Sequence, residues 1–422
     1  MDYQRRIIDK TLDAVIGVLP AIAIDGAKGV GKTATATRRA AEVFTLDSSA
    51  VLAVVEASPR VVLTGRAPTF IDEWQLVPGV WNEVRHAVDD GAGPGRFILA
   101  GSATPPPKAR IHSGAGRIVR LLMRPMSLPE RGLGEPCVSL AGLLSTKQPD
   151  VSGRTDVGLV DYVREILASG FPGVRAADPV ARPYLLDSYI AQLADHDIQE
   201  AGGVVRRPAA LLGWLRAYGA ASATTASYAS ILNAATPGED SKPAKDTATS
   251  YRDLLQRMWV LDPVDAWLPG ASPLKRLAQS PKHHLVDPAL AAHLVGVGEA
   301  GLLRGQGPVR GSGSTFLGAL FESLAAQTVR VLAEVSRAKV RHLRVQGGDH
   351  EVDLIVERED GRVVAIEVKL SDTVRPGDVL HLNWLAAQAP DLVVDKVVLN
   401  TGSFAYRRKD GVAVIPLALL AP

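Results

Sequence analysis

The sequence contains almost no cysteine, little net charge and no long apolar run. Cys137 is the only cysteine among 422 residues, which excludes a disulfide framework and a cysteine-based zinc site. The formal net charge of only +2 permits contact with nucleic acid but does not argue for it. No apolar run approaches the length that crosses a bilayer, and the first residues show no signal-peptide pattern. We therefore expect a cytoplasmic protein without a membrane partner.

A phosphate-binding loop is the most informative motif that is present. Residues 26–33 fit the pattern G-x-x-x-x-G-K-[ST] and lie between an apolar strand, residues 21–25, and a predicted helix, residues 35–44. Glycines in such a loop let backbone N–H groups surround the phosphates, and the helix N-terminus adds partial positive charge. We expect Lys32 to reach the β- and γ-phosphates of ATP and Thr33 to offer its hydroxyl to Mg²⁺. The residues predicted to bind nucleotide here are Gly26, Ala27, Lys28, Gly29, Val30, Gly31, Lys32 and Thr33.

Two carboxylates at the end of a second apolar strand support a nucleotide site. Residues 68–71 are followed directly by Asp72 and Glu73. In P-loop enzymes such a strand lies beside the loop strand, where the first acid holds Mg²⁺ through water and the second polarises the attacking water. We therefore predict that Asp72 binds metal and nucleotide and that Glu73 is catalytic. Carboxylates also end many ordinary strands, so this interpretation depends on Lys32 upstream.

Ser102 and Arg117 are further candidates for the nucleotide site. Ser102 ends a third predicted strand, residues 96–102, at the edge where doubly wound sheets bind ligands. It could sense the γ-phosphate or position water, or it could be an ordinary serine in a turn. Arg117 precedes another apolar strand, residues 118–123, and could stabilise transition-state charge in cis or across a subunit interface. It could equally be a solvated residue at the end of a strand.

These elements resemble those of bacterial AAA-type ATPases that carry a C-terminal domain of unknown function, often nuclease-like. The resemblance is carried by residues 26–33, 71–75, 99–102 and 116–117. It implies an α/β P-loop NTPase fold with a parallel sheet, and ATP and Mg²⁺ as ligands. A chain of 422 residues is too long for one compact core. We predict an ATP-binding domain at residues 1–150, a helical domain at 151–280 and an α/β nuclease-like domain at 281–422.

The middle segment shows helical periodicity. Helices predicted at residues 208–220, 227–235 and 246–259 are followed by a β-wing, residues 260–268. Three helices and a wing are typical of a winged helix, whose third helix can enter the major groove of DNA. Arg252 lies on the polar face of that third helix. A structural helical domain with a solvated basic face, or a protein–protein module, would give the same pattern.

A β-hairpin is predicted near the C-terminal end. Residues 351–358 and 362–370 form two predicted strands around residues 359–361, which include Asp360-Gly361. A three-residue loop with Gly361 in the left-handed conformation pairs Arg358 with Arg362, and this register gives one apolar face. That face contains Val352, Leu354, Val356, Val364, Ile366, Val368 and Leu370.

The same register groups charged residues on the opposite face. It places Asp353 opposite Glu367, with Lys369 two residues further along. Oxygen ligands suit Mg²⁺ or Mn²⁺, and a metal there would activate water for attack on phosphate. Lys369 could orient that water or stabilise the developing charge.

This arrangement resembles the PD-(D/E)xK nuclease superfamily, although Val352 stands where the family has proline. The resemblance implies that Glu322, from a predicted helix upstream, joins Asp353 and Glu367 as a metal ligand. It also implies that Asp353, Glu367 and Lys369 carry out phosphodiester chemistry. A salt-bridged solvent face would give the same residues, and superfamily members that keep the fold but lose catalysis are a further alternative.

Two hypotheses for the function follow. The first is an ATPase coupled to a nuclease-like domain that acts on or binds DNA. The second is a nucleotide-dependent switch whose C-terminal domain only binds a protein or nucleic-acid partner. A third, weaker hypothesis is a DNA-binding regulator led by the winged helix. An arginine supplied in trans would also require a homo-oligomer.

Overall fold

The computed structural model describes residues 3–103, 114–145, 148–200, 202–203, 205, 207–235, 245–268, 280–308, 315–345 and 347–422. The α-helices in these ranges are α1 Ile7–Ile16, α2 Lys32–Thr37, α3 Ser49–Ala57, α4 Gly79–Asp89, α5 Leu140–Leu143, α6 Leu159–Ala168, α7 Pro172–Arg175, α8 Arg182–Gln192, α9 Ile198–Glu200, α10 Pro208–Ala220, α11 Tyr228–Ala234, α12 Lys245–Arg257, α13 Pro288–Val295, α14 Glu299–Leu303, α15 Phe316–Val335 and α16 Leu380–Gln388. The strands are β1 Ala21–Asp25, β2 Glu42–Thr45, β3 Thr69–Asp72, β4 Phe97–Gly101, β5 Val119–Leu122, β6 Val138–Ser139, β7 Gly153–Arg154, β8 Lys339–Arg344, β9 Glu351–Glu357, β10 Val363–Val368, β11 Val393–Asn400, β12 Phe404–Arg407, β13 Ala413–Pro416 and β14 Leu420–Ala421.

The first sheet has five parallel strands in the order β2-β3-β4-β1-β5. Strand β1 is buried along its whole length, as its apolar sequence predicts for a strand covered on both faces. Because the strands are parallel, their carboxyl ends form one edge of the sheet, and the P-loop follows β1 at that edge. The predicted α/β class with a parallel sheet is therefore confirmed.

The helix after the P-loop is shorter than predicted. Helix α2 ends at Thr37, and residues 42–45 form β2 instead of continuing a helix to Phe44. Val43 pairs with Phe70 of β3. The β-branched and aromatic residues at this point suit a strand, so sheet pairing outweighs the helical propensity of the alanines before it.

The stretch after α12 lies along the edge of the C-terminal sheet. Val264 pairs antiparallel with Lys282, and Ala266 pairs parallel with His342 of β8. The wing predicted at residues 260–268 is thus joined to β8 rather than free-standing. The winged-helix prediction is not confirmed, and it stays a prediction.

The side chain of Arg252 on α12 is held by its neighbours. Its guanidinium donates to Oδ1 of Asp253 over 2.7 and 2.9 Å and lies 4.8 Å from the ring centroid of Tyr228. An arginine that is paired with a carboxylate attracts a phosphate less strongly than an unpaired arginine does, because the two charges partly cancel. The sequence pattern alone did not show this pairing.

The C-terminal sheet has seven strands in the order β7-β12-β13-β11-β10-β9-β8. The predicted hairpin register is confirmed, because the N–H of Arg358 donates to the carbonyl of Arg362 over 2.8 Å and Val356 pairs with Val364. Gly361 has φ +80°, the left-handed conformation that the three-residue loop requires. The register thus follows from the burial pattern of the two strands.

Both faces of the hairpin are buried, whereas the sequence predicted one apolar and one polar face. Leu354 and Val356 pack in the core that contains α15, as do Val364 and Ile366 of the second strand. Ile355 packs in a second core that contains α16. Val352 was predicted on the face of Leu354 but lies in the second core. The reason is a bulge in β9: Arg341 pairs with Ile355, but two residues later Leu343 pairs with Val352. The extra residue changes the side to which β9 directs its side chains.

The three predicted segments are closely interlocked. Strand β6 pairs with β14, and β7 pairs with β12, so residues before 155 contribute to the C-terminal sheets. One continuous hydrophobic core includes residues of all three segments. Contrary to the expectation that no apolar run approaches the length of a membrane span, helix α15 in the described residues is long and apolar enough to cross a membrane. Most of this helix is buried inside the protein. The predicted domain boundaries at 150 and 280 stay predictions.

Candidate functional site

Two glycines shape the P-loop at the carboxyl edge of the parallel sheet. Gly26 has φ +149°, and a Cβ atom there would lie 2.1 Å from the carbonyl oxygen of Met123. Gly31 has φ +102° and precedes the first residue of α2. Both positions therefore require glycine, and they bring the backbone of residues 26–33 to the N-terminus of a helix.

Lys32 is folded back onto its own loop. Its ammonium donates to the carbonyl oxygens of Gly26 over 2.8 Å and Ala27 over 2.9 Å, and the side chain is buried. Burial lowers the pKa of Lys32 to about 8, although Glu73 and Asp72 act in the opposite direction. The lysine is thus inside the loop and near two carboxyl groups.

Asp72 and Thr33 meet at the carboxyl edge of the sheet, although the strand of Asp72 does not lie beside the loop strand, where the sequence analysis placed it. The hydroxyl of Thr33 donates to the buried carboxyl of Asp72, whose pKa is raised mainly by burial. Strand β4 separates β3 from β1, and Asp72 pairs with Ala100 of β4. A hydroxyl and a carboxylate side by side at the P-loop are hard oxygen donors, so these residues fit a Mg²⁺ ion bound together with phosphates.

Glu73 is held in position by two side chains. The hydroxyl of Ser102 donates to Oε1 of Glu73 over 2.9 Å, and the side-chain amide of Gln75 donates to Oε2. Glu73 has φ +52°, a left-handed conformation that costs free energy in a non-glycine residue and is concentrated at functional sites. The structure therefore places Ser102 at Glu73, and it adds Gln75, which sequence reasoning did not single out.

Arg117 lies at the opposite edge of the sheet from the P-loop. It comes two residues before Val119, which pairs with Ile22 near the start of β1, and its guanidinium donates to Oδ1 of Asp89 over 2.8 Å. The predicted role in cis is therefore contradicted, because parallel strands put the P-loop at their other end. A role in trans stays a prediction. Arg120 does reach the P-loop side, where its Nε lies 2.6 Å from Oδ2 of Asp25, the last residue of β1.

In the C-terminal segment the predicted acidic residues gather around a lysine that the sequence did not indicate. The ammonium of Lys282 lies 2.9 Å from Oε1 of Glu322, 2.9 Å from Oε1 of Glu351 and 2.9 Å from Oδ1 of Asp353. The other oxygen of Asp353 accepts the backbone N–H of Val368 over 2.9 Å. We call Lys282, Glu322, Glu351 and Asp353 the Lys282 cluster.

Glu367 and Lys369 form a second pair beside the Lys282 cluster. The ammonium of Lys369 donates to Oε2 of Glu367 over 3.0 Å, while Oε1 of Glu367 is buried without a hydrogen-bond partner. Burial, followed by the charge of Asp353, raises the pKa of Glu367 well above its ordinary value.

Protonation in the Lys282 cluster is divided unequally between Glu322 and Asp353, two of the three acids that contact Lys282. Burial and the charge of Asp353 raise the pKa of Glu322 to about 8. Burial also acts against ionised Asp353, but Lys282 and Lys369 outweigh it and lower the pKa of Asp353 to about 2. Asp353 is thus ionised at pH 7, where it pairs with the Lys282 ammonium.

A divalent metal does not fit the Lys282 cluster in this arrangement. The oxygens that would be its ligands converge on the Lys282 ammonium, whose side chain is only 1% exposed. Across the described ranges no group of three or more His, Cys, Asp or Glu side chains is arranged to hold a metal ion. The predicted ligands Glu322, Asp353 and Glu367 are therefore close together, but with a lysine between two of them.

Comparisons with known proteins agree with the P-loop geometry. Residues 19–131 match the AAA domain family. This segment is therefore similar to AAA domains, in agreement with its P-loop and parallel sheet. Residues 159–301 and 317–420 match two families described as domains of unknown function, DUF8612 and DUF4143. The nuclease resemblance is not tested by these matches.

Uncharacterized proteins of Mycobacterium bovis and Mycobacterium tuberculosis are similar to most of this chain. Each is 26% identical over 381 residues, which is 88% of this chain and 75% of the relative. The Walker-type ATPase PABY2304 of Pyrococcus abyssi is 13% identical, and its alignment covers 69% of this chain and 96% of that chain with a TM-score of 0.40. None of these similarities identifies a substrate.

Arg6 stabilises the P-loop from outside the motif. Its guanidinium donates to the carbonyl of Val30 over 2.8 Å and to that of Arg124 over 2.7 Å, and it forms a buried ion pair of 3.0 Å with Glu130. These partners are 24, 118 and 124 residues away in sequence. No local pattern could have indicated such a contact.

The helical segment contacts the P-loop directly. The ammonium of Lys28 lies 2.9 Å from Oδ1 of Asp197, and a side chain at Gly29 would contact the ring of Phe171. Asp197 ends a π-helical turn, Leu193–Asp197, which follows α8. Such turns are rare and frequently lie at functional sites. The contact joins the segment that matches the AAA domain family to the segment matched by DUF8612.

Proposed function

We propose that this protein is a Mg²⁺-dependent ATPase that acts as a nucleotide-driven switch. The observation that carries the proposal is the position of Glu73, which Ser102 and Gln75 hold beside Asp72 at the P-loop edge. A carboxylate fixed in this way can orient a water molecule and accept its proton. The AAA match of residues 19–131 supports the same class of enzyme.

The residues of the site would divide the work as follows. Lys32 would leave the carbonyls of Gly26 and Ala27 and bind the β- and γ-phosphates of ATP. Thr33 and Asp72 would hold Mg²⁺, which supplies positive charge to the phosphate oxygens when bound. Ser102 is a positioning residue, because it acts on Glu73.

The contact of Lys28 with Asp197 supports the switch. Phosphates bound in the loop would attract the Lys28 ammonium and compete with Asp197 for it. ATP binding would thereby change how the π-helical turn packs on the loop. The C-terminal segment shares its core with the helical segment, so it would transmit this change to a protein or nucleic-acid partner, with a homo-oligomer as one form of the assembly.

The ATPase proposal is tested by ATP hydrolysis in the purified full-length chain. We expect phosphate release that needs Mg²⁺, is abolished by EDTA and is strongly reduced in Asp72→Asn. Asp187→Asn is the matched control, because this carboxylate on α8 pairs with His293 over 2.7 Å, away from the P-loop. Activity that is indifferent to EDTA and to Asp72→Asn would contradict the proposal.

The nuclease hypothesis is a second candidate, favoured by one observation. Glu322, Asp353, Glu367 and Lys369, which the resemblance singled out, do lie at one site. The ammonium of Lys282 in that site argues for a C-terminal domain that binds without cleaving. Cleavage of linear and supercoiled DNA with Mg²⁺ or Mn²⁺, with and without ATP, decides between the two. Cleavage that disappears in Lys369→Ala would establish the nuclease. If the wild-type protein cleaves neither DNA under these conditions, the hypothesis of a C-terminal domain that only binds is favoured.

A further inference from the structure

The Lys282 cluster is organised around an ammonium group that is completely satisfied. An ammonium has three N–H donors, and each of the three carboxyl groups lies 2.9 Å from Nζ of Lys282. The Lys282 side chain is 1% exposed, so water does not compete for these contacts. The acids come from two elements, since Glu322 belongs to α15 while Glu351 and Asp353 belong to β9.

The backbone fixes Lys282 in this place. The N–H of Lys282 donates to the carbonyl of Val264 over 2.8 Å, and the N–H of Val264 donates back over 2.9 Å. Val264 is in turn part of the stretch that pairs with β8 through Ala266 and His342. The lysine is therefore delivered to the cluster by a chain segment that is itself held against the C-terminal sheet.

We infer that Lys282 is a built-in counterion that takes the place of a divalent metal ion in this cluster. Mg²⁺ needs oxygens at about 2.0–2.1 Å in octahedral geometry, whereas these oxygens surround a nitrogen at hydrogen-bond distance. A metal could enter only by displacing the ammonium, which would leave a buried positive charge without a partner. The C-terminal segment therefore binds no divalent metal at Asp353, and its acids hold the helix, the hairpin and the middle segment together.

This inference does not depend on ATP hydrolysis, and its test reads metal binding directly. The full-length chain carrying Asp72→Ala, which removes the metal-binding carboxylate of the P-loop, is titrated with Mn²⁺ by calorimetry and by electron paramagnetic resonance. We expect no Mn²⁺ site in this protein. Adding Lys282→Ala should create one site per chain, and adding Asp353→Asn should remove it again.

Lys369→Ala in the same Asp72→Ala protein is the matched control. It deletes the other ammonium, which contacts Glu367, and leaves Lys282 in place, so it should create no Mn²⁺ site. Mn²⁺ binding that needs Asp353 while Lys282 is present would overturn the inference. A folded Lys282→Ala variant without a Mn²⁺ site would overturn it as well. If the Lys282→Ala variant folds only with Mn²⁺, the metal has replaced the ammonium as inferred. If the variant does not fold at all, Mn²⁺ binding is compared in the Lys282-containing protein with and without Asp353→Asn, and binding that Asp353→Asn removes would overturn the inference.

Discussion

Ser102 donates its hydroxyl proton to Oε1 of Glu73 over 2.9 Å, which links the ends of two neighbouring parallel strands. This contact gives Ser102 a specific task, namely to hold the carboxylate that we propose as the catalytic base. Ser102→Ala should therefore lower kcat for ATP by about tenfold or more while changing ATP binding little, because removed positioning reduces general-base efficiency. Steady-state ATPase kinetics give both values.

Ser102→Thr keeps the hydroxyl and is the control for this first prediction. It should retain most of the activity that Ser102→Ala loses. An equal loss in both variants would mean that the methyl group, and not the hydrogen bond, matters. Unchanged kcat in Ser102→Ala would contradict a positioning role.

The affinity for ATP should fall at alkaline pH because of Lys32. Burial lowers the pKa of this ammonium to about 8, and only the charged form binds phosphate. Below that pH the group is protonated and Kd should be nearly constant; above it, Kd should rise by about tenfold per pH unit. Calorimetric titration with a non-hydrolysable ATP analogue measures the profile, and binding should be accompanied by proton uptake near pH 8.

Glu73→Gln retains Lys32 and should still show an alkaline rise in Kd, but the rise should begin at lower pH because the charge of Glu73 raises the pKa of Lys32. If the Kd of wild type does not change from neutral to alkaline pH, the pKa of Lys32 is not lowered in the folded protein. If the rise in Kd disappears in Glu73→Gln, the titrating group is Glu73 and not Lys32.

The contact between Lys28 and Asp197 should respond to nucleotide. We expect ATP to change amide hydrogen exchange in residues 193–200, and Asp197→Asn to reduce that change. The Lys28 side chain is half exposed, so loss of this pair should alter stability by no more than about 1 kcal/mol. Hydrogen–deuterium exchange with mass spectrometry makes the comparison.

Asp187→Asn is the matched control for this coupling. Asp187 lies on α8 in the same segment and pairs with His293 over 2.7 Å, away from the P-loop. It should leave the nucleotide-dependent exchange of residues 193–200 intact. If ATP does not change the amide hydrogen exchange of residues 193–200 in wild type, the helical segment is not part of the switch.

Loss of Lys282 should destabilise the protein strongly in the absence of metal. Lys282→Ala leaves buried carboxyl groups without their counterion, a change that typically costs about 3–5 kcal/mol. Urea unfolding followed by circular dichroism measures the effect. Arg164→Ala, which breaks an exposed ion pair of 3.1 Å with Glu299, should cost about 0–1 kcal/mol. Equal effects for the two substitutions would contradict a buried counterion.

The P-loop and the hairpin could be predicted from sequence because both depend on local patterns. Residues 26–33 carry their own chemistry, and the register around Gly361 follows from which residues must be buried. The position of Arg117 can also be predicted from sequence, because a residue that precedes a parallel strand lies at the edge of the sheet opposite the P-loop. Glu351 could also have been included, since it lies two residues before Asp353 on the same predicted strand.

Arg6 and Lys282 could not be predicted, because their partners are distant in sequence. Lys282 lies 40 residues from Glu322 and 71 residues from Asp353. Only the packing of α15 on the hairpin, and the pairing of residue 264 with Lys282, brings these groups together. The bulge in β9 could not be predicted from sequence either, because it depends on the pairing with β8 as much as on β9 itself.

The most direct test of the proposed ATPase compares wild type with Glu73→Gln at saturating ATP and Mg²⁺. If Glu73 orients and deprotonates the attacking water, the variant should bind ATP as tightly as wild type but turn it over about 10²- to 10⁴-fold more slowly. Turnover in Glu73→Gln equal to that of wild type, with ATP binding intact in both, would contradict hydrolysis at this site.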